Sequence, residues 1–175
     1  PFYYVQLAPF RYDGDPYALP EIWEAQTKAL SIPQTGMAVT VDIGDLDDIH
    51  PRNKHDVGRR LALWALAKTY GRKDIVCSGP LYTSHTVEEG RIRITFDYID
   101  GGLITSDGKA PDWFEIASSD ADFVKADAKI DGDTIIVWSD KIPDPEMVRF
   151  AWHQEAQPNL RNAEGLPASP FRTEK

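Results

Sequence analysis

The sequence predicts an α/β unit over residues 1–74, followed by an antiparallel β-sandwich over residues 75–175. Three observations carry this prediction. The first part alternates short apolar runs with longer segments of helical periodicity. After about residue 74 the helical periodicity disappears and short alternating segments replace it. Turns rich in glycine and aspartate separate these later segments.

The first part contains two predicted strands and two predicted helices. Residues 2–8 are rich in aromatic and β-branched types, and residues 37–43 form an apolar run typical of a central parallel strand. Helices are predicted over residues 19–30 and from about 53 to 70. This order predicts a βαβα unit with a right-handed crossover. Two strands make too small a sheet to stand alone, and the rest of that sheet is not evident in the chain.

The second part contains several short predicted strands. The clearest cover residues 91–98, 134–138 and 148–152. Turn signals such as Glu89-Gly90 and Asp131-Gly132 lie between the predicted strands. Short strands with this spacing are typical of an antiparallel sandwich or jelly roll.

Composition and charge narrow the classes of partner. Of the 175 residues, 42% are apolar and 27% are charged, with a net charge of −9, which suits a soluble globular protein. The longest basic cluster, Arg59-Arg60, is too small for a nucleic-acid interface, and the acidic balance argues against an anionic membrane. No apolar run approaches the roughly 20 residues of a membrane span. The single cysteine, Cys77, excludes an intramolecular disulfide and a cysteine-based metal site, and it is expected to be buried.

The stretch with the clearest chemistry is residues 42–51, which follow the predicted second strand. Open α/β sheets place ligand sites at such strand ends. His50 can act there as a general base if a carboxylate orients its far nitrogen. Asp47 lies three residues earlier and is the preferred partner, with Asp48 close behind and Asp45 as a third candidate.

Two other interpretations fit the same loop. A histidine beside aspartates is most often a solvated loop residue. An aspartate-rich loop can also bind a cation, but the order of residues here does not match the EF-hand pattern. Spacing alone does not decide between these interpretations and catalysis.

Four segments together resemble the bacterial sialate O-acetylesterase family. They lie in family order along the whole chain: FYYVQLAP (2–9), DLDDIHPRNK (45–54), VGRRLALW (57–64) and NAEGLPASPFRT (162–173). The resemblance implies the C-terminal part of a flavodoxin-like SGNH hydrolase domain, which uses a serine nucleophile, a histidine base and an acid just before that histidine. It also implies release of acetate from O-acetylated sugars, sialic acids in particular, without a metal or an organic cofactor. The resemblance suggests a secreted or periplasmic enzyme, whereas the residues themselves leave the compartment open.

The resemblance assigns the base to His50. The general SGNH pattern places the acid at Asp47, and Asp48 stays a candidate. The Gly-x-Ser block of the nucleophile and the glycine and asparagine blocks of the oxyanion hole do not appear in the sequence. The isolated chain is therefore expected to be inactive, with the serine supplied by a missing N-terminal part of the same enzyme. The strand-like opening after Pro1 indicates an N-terminus made by truncation or processing.

Two other functions are also compatible with the sequence. The β-sandwich can act as a non-catalytic glycan-binding or structural module, presenting Trp113 and its neighbours to a sugar. The parent enzyme can also be an acetylxylan esterase. Gln6, Arg52 and Asn53 are further candidates for the wall of a substrate pocket. Leu61 and Trp64 lie at helical spacing on the second helix and are expected to pack into the hydrophobic core.

Overall fold

The computed structural model describes residues 1–119 and 121–174. Its first part contains β1 (Phe2–Val5), α1 (Ala18–Lys28), β2 (Thr35–Ala38) and α2 (Lys54–Trp64). A 3₁₀ turn (Ala29–Ser31) follows α1 and a π-helical turn (Ala65–Thr69) follows α2. Strands β1 and β2 pair in parallel, with Phe2 opposite Thr35 and Val5 opposite Ala38. The predicted strand–helix–strand–helix order and the parallel pairing are therefore confirmed.

Strand β2 is shorter than predicted. It ends at Ala38, because its partner β1 ends at Val5 and the last backbone bond between these segments runs from Gln6 N–H to Ala38 O at 2.9 Å. Val39 and Val41 are nevertheless buried. Their apolar side chains produced the strand-like pattern, although they pack against the core without joining the sheet.

A small apolar core holds the first part together. It contains Leu19 and Trp23 of α1 together with Met37, Val39 and Val41. The indole of Trp23 is fully buried, and its N–H donates to Leu7 O at 2.6 Å, so the ring is both packed and satisfied.

Helix α2 packs differently from the prediction. Trp64 is buried as expected, and its indole N–H donates to Met37 O at 2.8 Å. The second buried residue of the helix is Arg60, whereas Leu61 is only partly buried. Gly36 makes this packing possible, because a Cβ there would lie 2.5 Å from the Trp64 ring. Within the described residues, no helix is long and apolar enough to cross a membrane.

The second part consists of antiparallel strands. Their bounds are β3 (Leu81–Glu88), β4 (Arg91–Asp97), β5 (Leu103–Thr105), β6 (Phe114–Ala117), β7 (Val124–Lys125), β8 (Asp127–Asp131), β9 (Thr134–Trp138), β10 (Met147–Phe150), β11 (Leu160–Asn162) and β12 (Phe171–Arg172). One four-stranded sheet has the order β3-β4-β9-β8 and another the order β12-β10-β6-β7, while β5 pairs with β11. The predicted antiparallel character is confirmed.

One apolar core is shared by the two four-stranded sheets. Ile92 and Ile94 of β4 contribute from one sheet, and Phe114 of β6 and Phe150 of β10 contribute from the other, all with no exposed surface. Alternate residues of β4 are buried, which is the period-two pattern that predicted this strand. The position of the boundary near residue 75 remains a prediction.

Polar contacts join the two parts of the chain. Arg161 of β11 lies 2.9 Å from Asp42 in the first part. Arg172 of β12 donates to Glu24 of α1 at 3.2 Å. Within the second part, Gly79 packs tightly against the chain near its C-terminal end, because a Cβ there would be 2.0 Å from Pro167 O. The loop after β2 is tied to the second part through the contact of Asp42 with Arg161.

Candidate active site

The loop that carries His50 is built from short side-chain to backbone turns. Asp45 Oδ1 accepts the backbone N–H of Asp47 at 3.1 Å, and Asp48 Oδ1 accepts the backbone N–H of His50 at 2.9 Å. Aspartate favours such turns because its short side chain reaches the backbone two residues later. The loop ends where Asn53 caps α2 by accepting the N–H of Asp56 at 3.1 Å. Asn53 therefore has a structural role in this helix.

His50 projects into solvent beside Asp48. Its side chain is 86% exposed, and its Nδ1 lies 3.9 Å from Asp48 Oδ1. This distance is too long for a hydrogen bond. Catalytic hydrogen bonds are often long without substrate and shorten in the reacting complex.

Asp47 points to a different partner. Its Oδ1 accepts from Arg11 Nη1 at 2.7 Å, and Nε of the same guanidinium donates to Glu155 Oε1 at 2.8 Å. The hydrogen bond and charge of Glu155, together with the charge of Asp47, raise the pKa of Arg11. Of the candidate carboxylates, the structure thus places Asp48 beside His50 and Asp47 on Arg11. Asp45 holds the backbone of the loop.

Sequence reasoning missed Asp42, the buried anchor of this loop. Its side chain is 4% exposed and lies between two arginines. Arg60 donates to both carboxylate oxygens at 2.6 and 2.7 Å, and Arg161 approaches at 2.9 Å. A bidentate arginine fixes both the position and the plane of a carboxylate. One feature of the sequence could have indicated this buried carboxylate, because Arg60 occupies a core-facing position of α2.

Ser169 and Cys77, whose side chains have the chemistry of nucleophiles, are both buried. Ser169 Oγ is buried and lies 3.2 Å from Thr27 Oγ1 and 3.4 Å from Gln6 Nε2. Gln6 is itself 1% exposed, so it belongs to the junction between the two parts and not to an open pocket. Cys77 is buried as predicted, and burial raises the pKa of its thiol. Among the hydrogen bonds of residues 1–119 and 121–174, none joins a serine hydroxyl to His50.

Comparison with proteins of known structure defines the class. A carbohydrate acetylesterase from Xanthomonas citri is 42% identical to this chain, with a TM-score of 0.95. The match covers 100% of this chain and 41% of that enzyme. The chain is therefore related along its whole length to part of a carbohydrate acetylesterase.

Curated proteins of known function show which acetylesterases the chain resembles. The sialate O-acetylesterase of Mus musculus is 36% identical over 110 residues, which cover 55% of this chain and 20% of that enzyme. The sialate O-acetylesterase of Rattus norvegicus is 39% identical over 92 residues, or 46% of this chain and 17% of the enzyme. No family model matches the chain. The resemblance to sialate O-acetylesterases is confirmed, and the chain spans about a fifth of the length of these curated relatives.

Proposed function

We propose that this chain supplies the acid–base part of a serine-type carbohydrate esterase that removes O-acetyl groups from sialic acids or related sugars. The observation that carries the proposal is the exposed His50 imidazole beside Asp48, within a motif that resembles the acetylesterases. We also propose that residues 1–74 are the C-terminal part of an SGNH-type α/β domain and that residues 75–175 form a β-sandwich. The relationship to carbohydrate acetylesterases supports an acetylated carbohydrate as the substrate.

In this proposal His50 moves the proton in both halves of the reaction. A serine outside these 175 residues attacks the acetyl carbonyl while His50 Nε2 takes the hydroxyl proton. His50 then returns this proton to the departing sugar oxygen, leaving an acetyl group on the serine. Water attacks that acetyl-serine with His50 again acting as base, which releases acetate and restores the serine.

Asp48 is the proposed orienting acid. An acceptor at Nδ1 keeps the proton on that nitrogen and leaves Nε2 free to act as base, and it stabilises the imidazolium that forms. The hydrogen bond from the backbone N–H of His50 to Asp48 Oδ1 supports this role. Asp47 fits the general SGNH spacing better, but its carboxylate is engaged by Arg11. Asp47 is thus proposed to hold the loop in place.

The test reconstitutes an ester hydrolase from this chain. The isolated chain should not hydrolyse 4-methylumbelliferyl acetate, and joining it to the serine-bearing segment of the enzyme should produce turnover. The rescued enzyme should lose that turnover when His50 is replaced by alanine. Rescue that survives His50→Ala would exclude His50 as the base. Assays of the reconstituted enzyme on acetylated xylan and on O-acetylated sialic acid would identify which sugar it deacetylates.

A further inference from the structure

A cavity apart from the His50 loop lies between the start of α1 and the β-strand region. Its volume is about 400 Å³. The residues that matter for a ligand are Tyr17, Asp112, Trp113, Glu115, Lys125 and His153. Aromatic walls combined with a few polar groups are typical of small-molecule sites. We call this cavity the aromatic pocket.

Three rings form one wall of the aromatic pocket. The Trp113 ring stacks on His153, with centroids 6.3 Å apart and an interplanar angle of 30°. Tyr17 meets the same imidazole edge-on, at 6.2 Å and 87°. Trp113 is 38% exposed, whereas Phe114, the next residue, is fully buried in the core. The chain therefore presents a large flat apolar side chain to solvent at the start of β6.

The backbone that presents Trp113 is unusual. Trp113 has a φ of 60° and Ala151, across the strand pair, has a φ of 52°. The N–H of Ala151 donates to Trp113 O at 2.9 Å, so the two irregular residues support each other. Residues other than glycine seldom adopt this left-handed backbone conformation, and such positions concentrate at functional sites.

Polar groups converge on the same pocket. Asn159 donates its backbone N–H to Asp112 Oδ1 at 2.9 Å, which fixes that carboxylate, and burial raises the pKa of Asp112. Arg149 donates to Glu115 Oε2 at 2.7 Å. A carboxylate offers about four lone-pair sites, so both groups retain capacity to accept hydroxyl protons. The charges of Asp112 and Glu115 are balanced by Lys125 and Arg149.

We propose that the aromatic pocket binds a neutral pyranose ring. One apolar face of the sugar stacks on Trp113, and its hydroxyls donate to Asp112 and Glu115. The rings of Tyr17 and Phe123 cover the Arg149 guanidinium at 5.0 and 4.2 Å, which leaves this arginine poorly placed to bind an anionic sugar. The lining itself carries two carboxylates and one lysine, which disfavours an anionic ligand.

The aromatic pocket is linked to the His50 loop by one guanidinium. His153 Nδ1 accepts the N–H of Glu155 at 3.2 Å, and Glu155 shares Arg11 with Asp47. A glycan held in the pocket would thus lie near the loop that we propose to act on its acetyl group. This connection rests on the proposed function, whereas sugar binding itself does not.

The test titrates the 175-residue chain with xylotetraose, followed by calorimetry and tryptophan fluorescence up to about 10 mM, since single-ring stacking supports affinities in the millimolar range. Saturable binding is expected, and Trp113→Ala should weaken it by about tenfold. Tyr70→Ala is the matched control, because Tyr70 is an aromatic residue with 74% exposure outside the pocket, and it should leave binding unchanged.

The same titration of His50→Ala separates binding from catalysis. Unchanged affinity for xylotetraose in this variant supports the pocket whether or not His50 proves to be the base. Absence of saturable binding, or equal affinity in Trp113→Ala, would overturn the proposal. Binding of 3′-sialyllactose alone, lost in Lys125→Ala, would overturn the assignment to a neutral sugar.

Discussion

Asp42 and Asp48 lie in the same loop after β2, yet their surroundings are opposite. The Asp42 side chain is 4% exposed and is held by two arginines from different parts of the chain. The Asp48 side chain is 45% exposed and faces an imidazole that is 86% exposed. A buried carboxylate needs paired cations and hydrogen bonds, whereas an exposed one keeps lone pairs free to accept a hydrogen bond from an imidazole N–H. In this loop the carboxylate that anchors the backbone, Asp42, is thus distinct from the carboxylate proposed to orient the catalytic base, Asp48.

The largest expected effect is on turnover. Asp48→Asn in the reconstituted esterase should lower kcat by roughly 10²- to 10⁴-fold, because the imidazole loses its orienting anion. Asp47→Asn removes a carboxylate of the same loop that contacts Arg11 and should have little effect on kcat. Steady-state kinetics of the two variants decide the matter, and a larger loss in Asp47→Asn would reverse their roles.

The next largest effect is on stability. Asp42→Asn leaves Arg60 and Arg161 without their shared anion, and we expect it to lower the free energy of unfolding by about 3–5 kcal/mol. Asp47→Asn disrupts only an exposed pair and should cost about 1 kcal/mol or less. Urea denaturation followed by circular dichroism measures both. Equal losses would show that Asp42 is not the anchor.

A tightly packed glycine in the second part should show a smaller effect. A Cβ at residue 79 would meet Pro167 O at 2.0 Å, so Gly79→Ala must push apart the two segments of the second part that meet there. We expect a loss of about 1–3 kcal/mol in the free energy of unfolding. Gly58→Ala is the control, because a Cβ at that exposed helical position meets nothing within 4 Å and should stabilise the chain by about 0.5–1 kcal/mol. Denaturant midpoints of both variants provide the measurement, and a neutral Gly79→Ala would contradict the close packing of residue 79 against Pro167.

The smallest effect concerns pH. Burial alone would raise the pKa of Glu24, but hydrogen bonds from Arg172 and Lys28 outweigh it and lower this pKa. The stabilisation from this carboxylate is therefore complete above its unfolded pKa of about 4.3 and is lost as the pH falls through its lower folded-state pKa. Glu24→Gln should be less stable than the parent at pH 7, and the difference should shrink toward pH 3. A difference independent of pH would rule out this origin.

The sequence predicted much of the fold because the decisive patterns are local. Alternating burial in β4 and the helical spacing of Trp64 were visible as periodicities. The end of β2 was not, because Val39 and Val41 stay apolar after their pairing partner ends. Strand pairing depends on a second segment, which a local pattern does not contain.

Prediction of the candidate site had the same limit. Motif spacing identified the His50 loop, but it did not separate Asp47 from Asp48. The distinction depends on Arg11, which approaches from 36 positions away in the chain. The buried ion pair of Arg60 with Asp42 was not predicted, because the two residues lie in different elements, 18 positions apart. The aromatic pocket likewise brings together Tyr17, Trp113 and His153, which no single stretch of sequence contains.

The most direct test compares kcat/KM of His50→Ala and His55→Ala in the reconstituted esterase on one acetylated sugar. Both histidines are exposed, and they lie on either side of the cap of α2. His50→Ala should lower kcat/KM by about 10³-fold or more at an unchanged melting temperature, because the general base is lost. His55→Ala should leave kcat/KM at the parent value. Parental activity in His50→Ala, or an equal loss in His55→Ala, would contradict the assignment of His50 as the base.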